Sequence, residues 1–139
     1  MNAQNILLPV MVLIGWTALV LLLVPYRRFK AGFGGRVTLD DFRFGESATV
    51  PGDVSIPNRN FMNLLEVPVL FYVVCLTLFV TQHGSSSALM LEWSYVGFRV
   101  LHSLIHLTYN RVTHRLAVFV ASDIVLLVLW AQVLWKLSR

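Results

Sequence analysis

The stretch Arg59–Pro68, with the sequence RNFMNLLEVP, opens an apolar run that continues to Val80. The whole run is long enough to cross a bilayer as a helix. Its polar residues Arg59, Asn63 and Glu66 share one face at 3.6 residues per turn. Glu66 lies about 10 Å along the helix from Arg59. An ionisable group at that depth in hydrocarbon is costly, and it is therefore a candidate for function.

The composition is that of an integral membrane protein. Of the 139 residues, 57% are hydrophobic and 13% are charged, and the mean hydropathy is +0.71. These values exclude a soluble domain of this size. The net charge is +4, but the basic residues border apolar runs and form no patch interleaved with aromatic residues. We therefore expect no nucleic-acid partner.

Four apolar runs predict an all-α membrane protein, a four-transmembrane-helix bundle that forms a single domain. Each run is about as long as the hydrocarbon layer requires. The predicted spans are residues 6–25, 61–80, 88–109 and 116–135 of a domain covering 1–139. Pro68 is expected to kink the second span just after Glu66. Residues 31–58 are rich in glycine and proline without a helical or strand period, and they predict a long cytoplasmic loop.

The distribution of lysine and arginine predicts the orientation. The turn between the third and fourth spans carries Arg111 and Arg115, and the loop between the second and third spans carries no basic residue. The connection between the first two spans carries Arg27, Arg28, Lys30, Arg36 and Arg43. The positive-inside rule then places both basic connections in the cytoplasm and both termini on the other side. The expected location is the bacterial inner membrane.

A second polar stripe lies in the third span. Steps of four, three, four and three residues put five side chains on one helix face: Tyr95, Arg99, His102, His106 and Tyr109. Glu66 and Arg99 lie at similar depth from the cytoplasmic side, so we expect them to form a buried pair. Asp123, midway along the fourth span, is expected to be a structural partner of His102 or Arg99.

The other polar residues near the cytoplasmic side are mostly cationic: Arg27, Arg28, Arg59, Asn63, His102, His106, Arg111 and Arg115. This surplus of donors predicts an anionic ligand, because guanidinium groups bind carboxylates bidentately. One alternative is that these side chains only link helices by hydrogen bonds, although such links would match donors with acceptors. Another is a metal ion on His102, His106 and Glu66. Arg99 and Arg115 would repel a cation there, so no metal site is predicted.

Over nearly its whole length the chain resembles the MAPEG superfamily, the membrane-associated proteins in eicosanoid and glutathione metabolism. One motif that carries the resemblance opens the second span as Arg59-x-x-x-Asn63-x-x-Glu66. The other is Arg99-x-x-His102-x-x-x-His106, followed nine residues later by Arg115. The second motif is similar in spacing to the microsomal prostaglandin E synthases and glutathione transferases.

The resemblance implies a homotrimer that binds glutathione, as co-substrate, between neighbouring subunits near the cytoplasmic side. Arg115 would be the catalytic residue that stabilises the glutathione thiolate, since a nearby guanidinium lowers the pKa of a thiol and the thiolate is the nucleophile. The glutathione-binding residues that it implies are Arg27, Arg28, Arg59, Asn63, Glu66, Arg99, His102, His106 and Arg111.

The expected function is that of a membrane-bound glutathione-dependent transferase or peroxidase. Surrounded by membrane lipids, it would activate the thiol for attack on a lipophilic electrophile that arrives from the bilayer. The alternative is a non-catalytic MAPEG-like trimer that binds an anionic or lipid ligand. Arg115 favours the enzyme. His106 and Phe119, which stand where many relatives carry tyrosine, favour the alternative.

Overall fold

The computed structural model describes residues 3–139, which form helices and no β-strand. Two short 3-10 helices, Ala3–Ile6 and Leu39–Phe42, accompany five α-helices. The α-helices are α1 (Leu7–Phe33), α2 (Gly52–Leu65), α3 (Pro68–Val80), α4 (Ser86–Leu107) and α5 (Val112–Leu137). The all-α fold expected from the apolar runs is confirmed.

The second apolar run is divided into α2 and α3 at Glu66. This residue has φ −79° and ψ −92°, outside the helical region. Pro68 stands in the first turn of α3, where its missing N–H breaks no helical hydrogen bond. The expected interruption next to Glu66 is confirmed, and its cause is the proline.

The helices reach beyond the apolar runs from which the spans were predicted. α1 continues past residue 25 to Phe33, and α2 already begins at Gly52, so the connection between them is residues 34–51. An apolar run marks the part of a helix that lies in hydrocarbon. The backbone hydrogen bonds continue into the interface, where arginine, lysine and alanine are good helix formers.

Three helical segments are long and apolar enough to cross a membrane: Leu7–Phe33, Gly52–Val80 and Val112–Leu137. α4 has 22 residues, or about 33 Å at 1.5 Å per residue. Its buried polar side chains make it less apolar than the other three: Glu92, Arg99, His102, Ser103 and His106. α4 packs along α5 and also contacts α1 and α2, so its polar face is enclosed by the bundle.

The apolar core lies between the helices. Leu13, Phe71, Leu78 and Leu129 are fully buried, and the ring of Phe71 stacks on that of Tyr95 with centroids 4.4 Å apart. Many large apolar side chains point outward instead, from Met11 in α1 to Leu134 in α5. An apolar exterior of this kind suits lipid and not water.

The connection 34–51 is ordered by specific contacts. Asp41 accepts hydrogen bonds from the backbone and hydroxyl of Thr38 and from the hydroxyls of Ser47 and Thr49. These donors hold the pKa of the Asp41 carboxyl well below its usual range. Two ion pairs tie the ends of the connection, from Arg28 to Glu46 and from Arg36 to Asp53.

Candidate active site

A cleft of about 510 Å³ opens where α2, the end of α4 and the start of α5 meet. It adjoins the turn between α4 and α5, so it lies on the side of the molecule that carries the basic connections. We call this side the basic side. The lining residues are Ile56, Asn58, Arg59, Met62, Asn63, His106, Asn110, Val112 and Arg115. Four of the site residues expected from the sequence are thus brought together: Arg59, Asn63, His106 and Arg115.

The α2 wall is positioned by a buried hydrogen bond. The amide nitrogen of Asn60 donates to the hydroxyl of Ser103 in α4 at 2.6 Å. Both residues are fully buried. This bond fixes the rotation of α2 about its own axis. Asn60 therefore faces the core, and Arg59 and Asn63 face the cleft.

Arg115 is held by the turn that precedes it. Its Nη1 donates to Oδ1 of Asn110 at 2.7 Å and lies 3.3 Å from both ring nitrogens of His106. Equal distances to the two nitrogens place Nη1 beside the ring and not along one N–H direction. Asn110 has a φ of +46°, a left-handed conformation that asparagine tolerates better than most residues. The turn therefore directs Arg115 back toward the cleft.

A second polar cluster lies deeper in the bundle than the cleft. Arg99, whose side chain is 1% exposed, donates from Nη2 to Oδ1 of Asp123 at 3.0 Å and from Nε to the hydroxyl of Tyr95 at 2.9 Å. Its guanidinium also lies 4.8 Å from the ring centroid of Phe119. His102 fills the space between this cluster and the cleft, because its ring contacts both Phe119 and His106.

The expected pair between Glu66 and Arg99 is wrong. Arg99 is paired with Asp123, the other partner that the sequence offered for it. Glu66 ends α2 at the helix break, and its side chain is exposed on the surface of the chain. The N–H of Glu66 still bonds to the carbonyl of Met62 at 3.1 Å, so its side chain continues a face of α2 that is open in this chain and does not reach Arg99.

The remaining site candidates lie outside the cleft lining. Arg28 is engaged by Glu46 and lies over the ring of Phe42. Arg27 is half-buried, and Arg111 is exposed directly before α5. Tyr109 does not join the buried stripe of α4, because the helix ends at Leu107. The other four members of that stripe are buried on one face: Tyr95, Arg99, His102 and His106.

Two polar residues of the bundle were not singled out from the sequence. Asn110, which holds Arg115, occurs at a turn where its role depends on backbone conformation. Glu92 in α4 is 0% exposed, and neither carboxyl oxygen has a hydrogen-bond partner within residues 3–139. Its spacing of three residues from Tyr95 and seven from Arg99 extends the buried stripe. That spacing could have identified it.

The cleft is electropositive. Its lining within the described chain contains the guanidinium groups of Arg59 and Arg115 and no carboxylate. Asn58, Asn63 and Asn110 add amide groups, and His106 adds an imidazole. In residues 3–139 no three side chains of histidine, cysteine, aspartate or glutamate gather in a way that would hold a metal ion. The arrangement can bind an anion that also offers amide-like partners, and it can stabilise negative charge on a bound nucleophile.

Fold and cleft together define the class of protein: an α-helical integral membrane protein with a cationic polar cleft at one end of its bundle. A family model described as the MAPEG family matches residues 6–135. The chain therefore belongs to the MAPEG family, as the motifs in its second and third spans indicated. No curated protein and no solved structure matches the chain significantly.

Proposed function

We propose that this protein is a membrane-bound, glutathione-dependent transferase or peroxidase that acts as a homotrimer. The observation that carries the proposal is the environment of Arg115. Its guanidinium is held in a cleft by Asn110 and beside His106, with no carboxylate in the described lining to neutralise it. Membership of the MAPEG family supports glutathione as the thiol.

Arg115 would act on the sulfur of glutathione. A guanidinium beside the thiol stabilises the thiolate, so the thiol loses its proton at a lower pH and more of the nucleophile is present. Arg59 and Asn63, on the opposite wall, are suited to a glutathione carboxylate and to an amide group. A cleft of about 510 Å³ is in the size range of sites for small ligands.

The chemistry follows from the thiolate. In the transferase reaction a carbon–sulfur bond forms at the electrophilic carbon, and the displaced group leaves with the bonding electron pair. In the peroxidase reaction the thiolate attacks the terminal oxygen of a lipid hydroperoxide, the O–O bond breaks, and the alkoxide that leaves takes a proton to become an alcohol. The sulfenic acid formed on glutathione then reacts with the thiol of a second glutathione to give the disulfide and water. Both electrophiles are lipophilic, and the apolar exterior of the bundle gives them access from the bilayer.

The homotrimer accounts for the candidates that a single chain leaves outside the cleft. Glu66 and Arg111 are exposed on the chain surface, and Arg27 is half-buried at the basic end of α1. A neighbouring copy packed against this end would add such groups to the same cleft. The orientation proposed from the basic connections puts the cleft on the cytoplasmic side, where glutathione is made and kept reduced.

The decisive experiment is calorimetric binding of glutathione to the purified protein in detergent, with a pH titration of thiolate absorbance. We expect binding with a lowered thiol pKa in the wild type and no lowering in Arg115→Ala. Arg139→Ala is a matched control, because Arg139 contacts Trp135 at the opposite end of α5. Conjugation should be lost only in Arg115→Ala, with the oligomer intact in both variants. An unchanged thiol pKa in Arg115→Ala would contradict the proposal.

A non-catalytic trimer that binds an anion in this cleft is the second candidate. The observation that favours it is Phe119, whose ring lies against His102 and Arg99 and offers no hydroxyl to a ligand. This candidate predicts that glutathione or another anion binds without any lowering of a thiol pKa. It also predicts no turnover with any electrophile.

A further inference from the structure

Among the described residues that line the cleft, His106 alone has a side chain that exchanges a proton near neutral pH. The other polar groups of this lining are guanidinium and amide groups. A guanidinium stays charged, and an amide does not take up a proton in water. His106 is 3% exposed and forms no ion pair within residues 3–139. A proton that leaves a thiol in this cleft therefore meets one base in the described lining, the imidazole of His106.

His106 also lies beside the group that would stabilise the thiolate. Both of its ring nitrogens are 3.3 Å from Nη1 of Arg115. A sulfur that accepts a hydrogen bond from this guanidinium lies within about two hydrogen-bond lengths of the ring. Its proton can then pass to the imidazole directly or through one water molecule. His102 is the neighbouring imidazole, but it does not line the cleft, and its ring centroid is 6.1 Å from that of His106.

The charges around His106 suit a base that acts only when a thiolate forms. Arg115 of α5 and Arg59 of α2 line the same cleft, and both cations disfavour a further positive charge on the ring. His102 is the titratable neighbour within α4. A thiolate beside the ring reverses this balance, because a negative charge favours the imidazolium. Once the thiolate is consumed, the imidazolium is again disfavoured and readily gives up its proton.

We propose that His106 takes the proton from the thiol of glutathione and gives it to an oxygen of the electrophile. This role rests on the proposed function and specifies its substrate class. In the first step the S–H bond breaks and an N–H bond forms on the imidazole. In the second step the thiolate attacks, and the O–O bond of a hydroperoxide or a C–O bond of an epoxide breaks. The oxygen that keeps the bonding electron pair then takes the proton from the imidazolium. A halide, in contrast, leaves without a proton.

The first experiment measures where the thiol proton goes, and it uses the wild type in detergent. Glutathione is titrated calorimetrically at neutral pH in two buffers of different ionisation enthalpy, and thiolate is followed by its absorbance. We expect thiolate to form with almost no net release of protons, so that the binding enthalpy is nearly the same in both buffers. His106→Gln should instead release about one proton to the buffer for each thiolate that forms.

The second experiment compares two electrophiles at equal amounts of bound thiolate. We expect His106→Gln to slow the reduction of cumene hydroperoxide by about a hundredfold or more, the usual worth of a positioned acid. Conjugation of chlorodinitrobenzene should slow by less than about threefold, because chloride needs no general acid. His83→Gln is the matched control, since His83 is exposed in the turn between α3 and α4, away from the cleft. It should behave as the wild type does with both electrophiles.

The outcomes separate this role of His106 from the proposed function. Absence of bound thiolate in the wild type would contradict the proposed function and, with it, the role of His106. If thiolate forms, release of about one proton per thiolate by the wild type would overturn the role of His106 alone. Equal slowing with both electrophiles in His106→Gln would make His106 a structural contact. Retention of the proton in His106→Gln would assign it to another base, such as His102 or Glu66 of a neighbouring copy. A wild type that conjugates chlorodinitrobenzene but does not reduce the hydroperoxide would also contradict the proposal.

Discussion

Replacing Asp123 tests whether the buried guanidinium of Arg99 depends on this single carboxylate. The Arg99 side chain is 1% exposed and that of Asp123 is 31% exposed, with Nη2 and Oδ1 3.0 Å apart. Removal of one partner of a buried pair costs about 3–5 kcal/mol, because the other charge is left unpaired. Asp123→Leu should reach that range. Asp123→Asn keeps an acceptor oxygen, so we expect it to cost about 2 kcal/mol, the worth of a charged hydrogen bond.

The assay is unfolding of the detergent-solubilised protein, followed by far-ultraviolet circular dichroism. Asp40→Asn is the matched control, because it makes the same carboxylate-to-amide change at an exposed residue that forms no ion pair within residues 3–139. It should change the free energy of unfolding by less than about 0.5 kcal/mol. The double variant Arg99→Met with Asp123→Leu should recover most of the loss, because it removes both charges. The reasoning is refuted if Asp40→Asn destabilises as much as Asp123→Asn does.

Three further predictions concern residues that sequence analysis did not assign to a role. Asn110→Gly keeps the left-handed backbone but removes the hydrogen bond that holds Arg115. We expect it to fold normally and to lower kcat for conjugation on the order of tenfold to a hundredfold. An unchanged kcat would show that Asn110 does not position Arg115. Asp41→Asn should speed tryptic cleavage at Arg43. The pKa of Asp41 is lower in the folded state than in the unfolded state, so its ionised carboxylate stabilises the connection at neutral pH. This stabilisation declines only when the pH falls below the ordinary pKa of about 3.9. Hydrogen exchange in residues 38–49 of the wild type should therefore stay slow down to about pH 4. Glu92→Leu should leave thermal stability unchanged or higher, since neither oxygen has a partner in the described chain, and a marked loss would reveal an unrecognised partner.

The sequence predicted which side chains share a helix face better than which helices those faces contact. Spacings of three and four residues placed Tyr95, Arg99, His102 and His106 on one face, and the structure buries all four there. The same spacing could not choose between Glu66 and Asp123 as partner of Arg99, because both lie near the required depth. That choice depends on how each helix is rotated about its own axis: α5 presents Asp123 to Arg99, and α2 leaves Glu66 exposed.

The contacts that no periodicity predicts are those between residues distant in the chain. Residues 31–58 were expected to be an irregular loop, but helices cover both of its ends and only 34–51 connect them. Asp41 organises this connection through hydrogen bonds with short side chains, and the ion pair of Arg28 with Glu46 ties it to α1. Likewise, Asn110 acts through a positive φ and one hydrogen bond. Such roles follow from three-dimensional proximity, so they had to be read from the structure.

The cationic residues near the basic side were given two interpretations, as links between helices or as a ligand site. Each interpretation describes a different part of this set. Arg99 is matched with a carboxylate, a hydroxyl and an aromatic ring, and it lies in the interior, as a structural contact should. Arg59 and Arg115 lie at the rim of the same bundle, with no carboxylate among the described residues that line their cleft. A buried cation needs a partner within the fold, but a cation at an open cleft can take its partner from solution. Arg59 and Arg115 are thus left without a carboxylate at a place where an anion can enter, and this favours a ligand-binding role for Arg115 over a structural one.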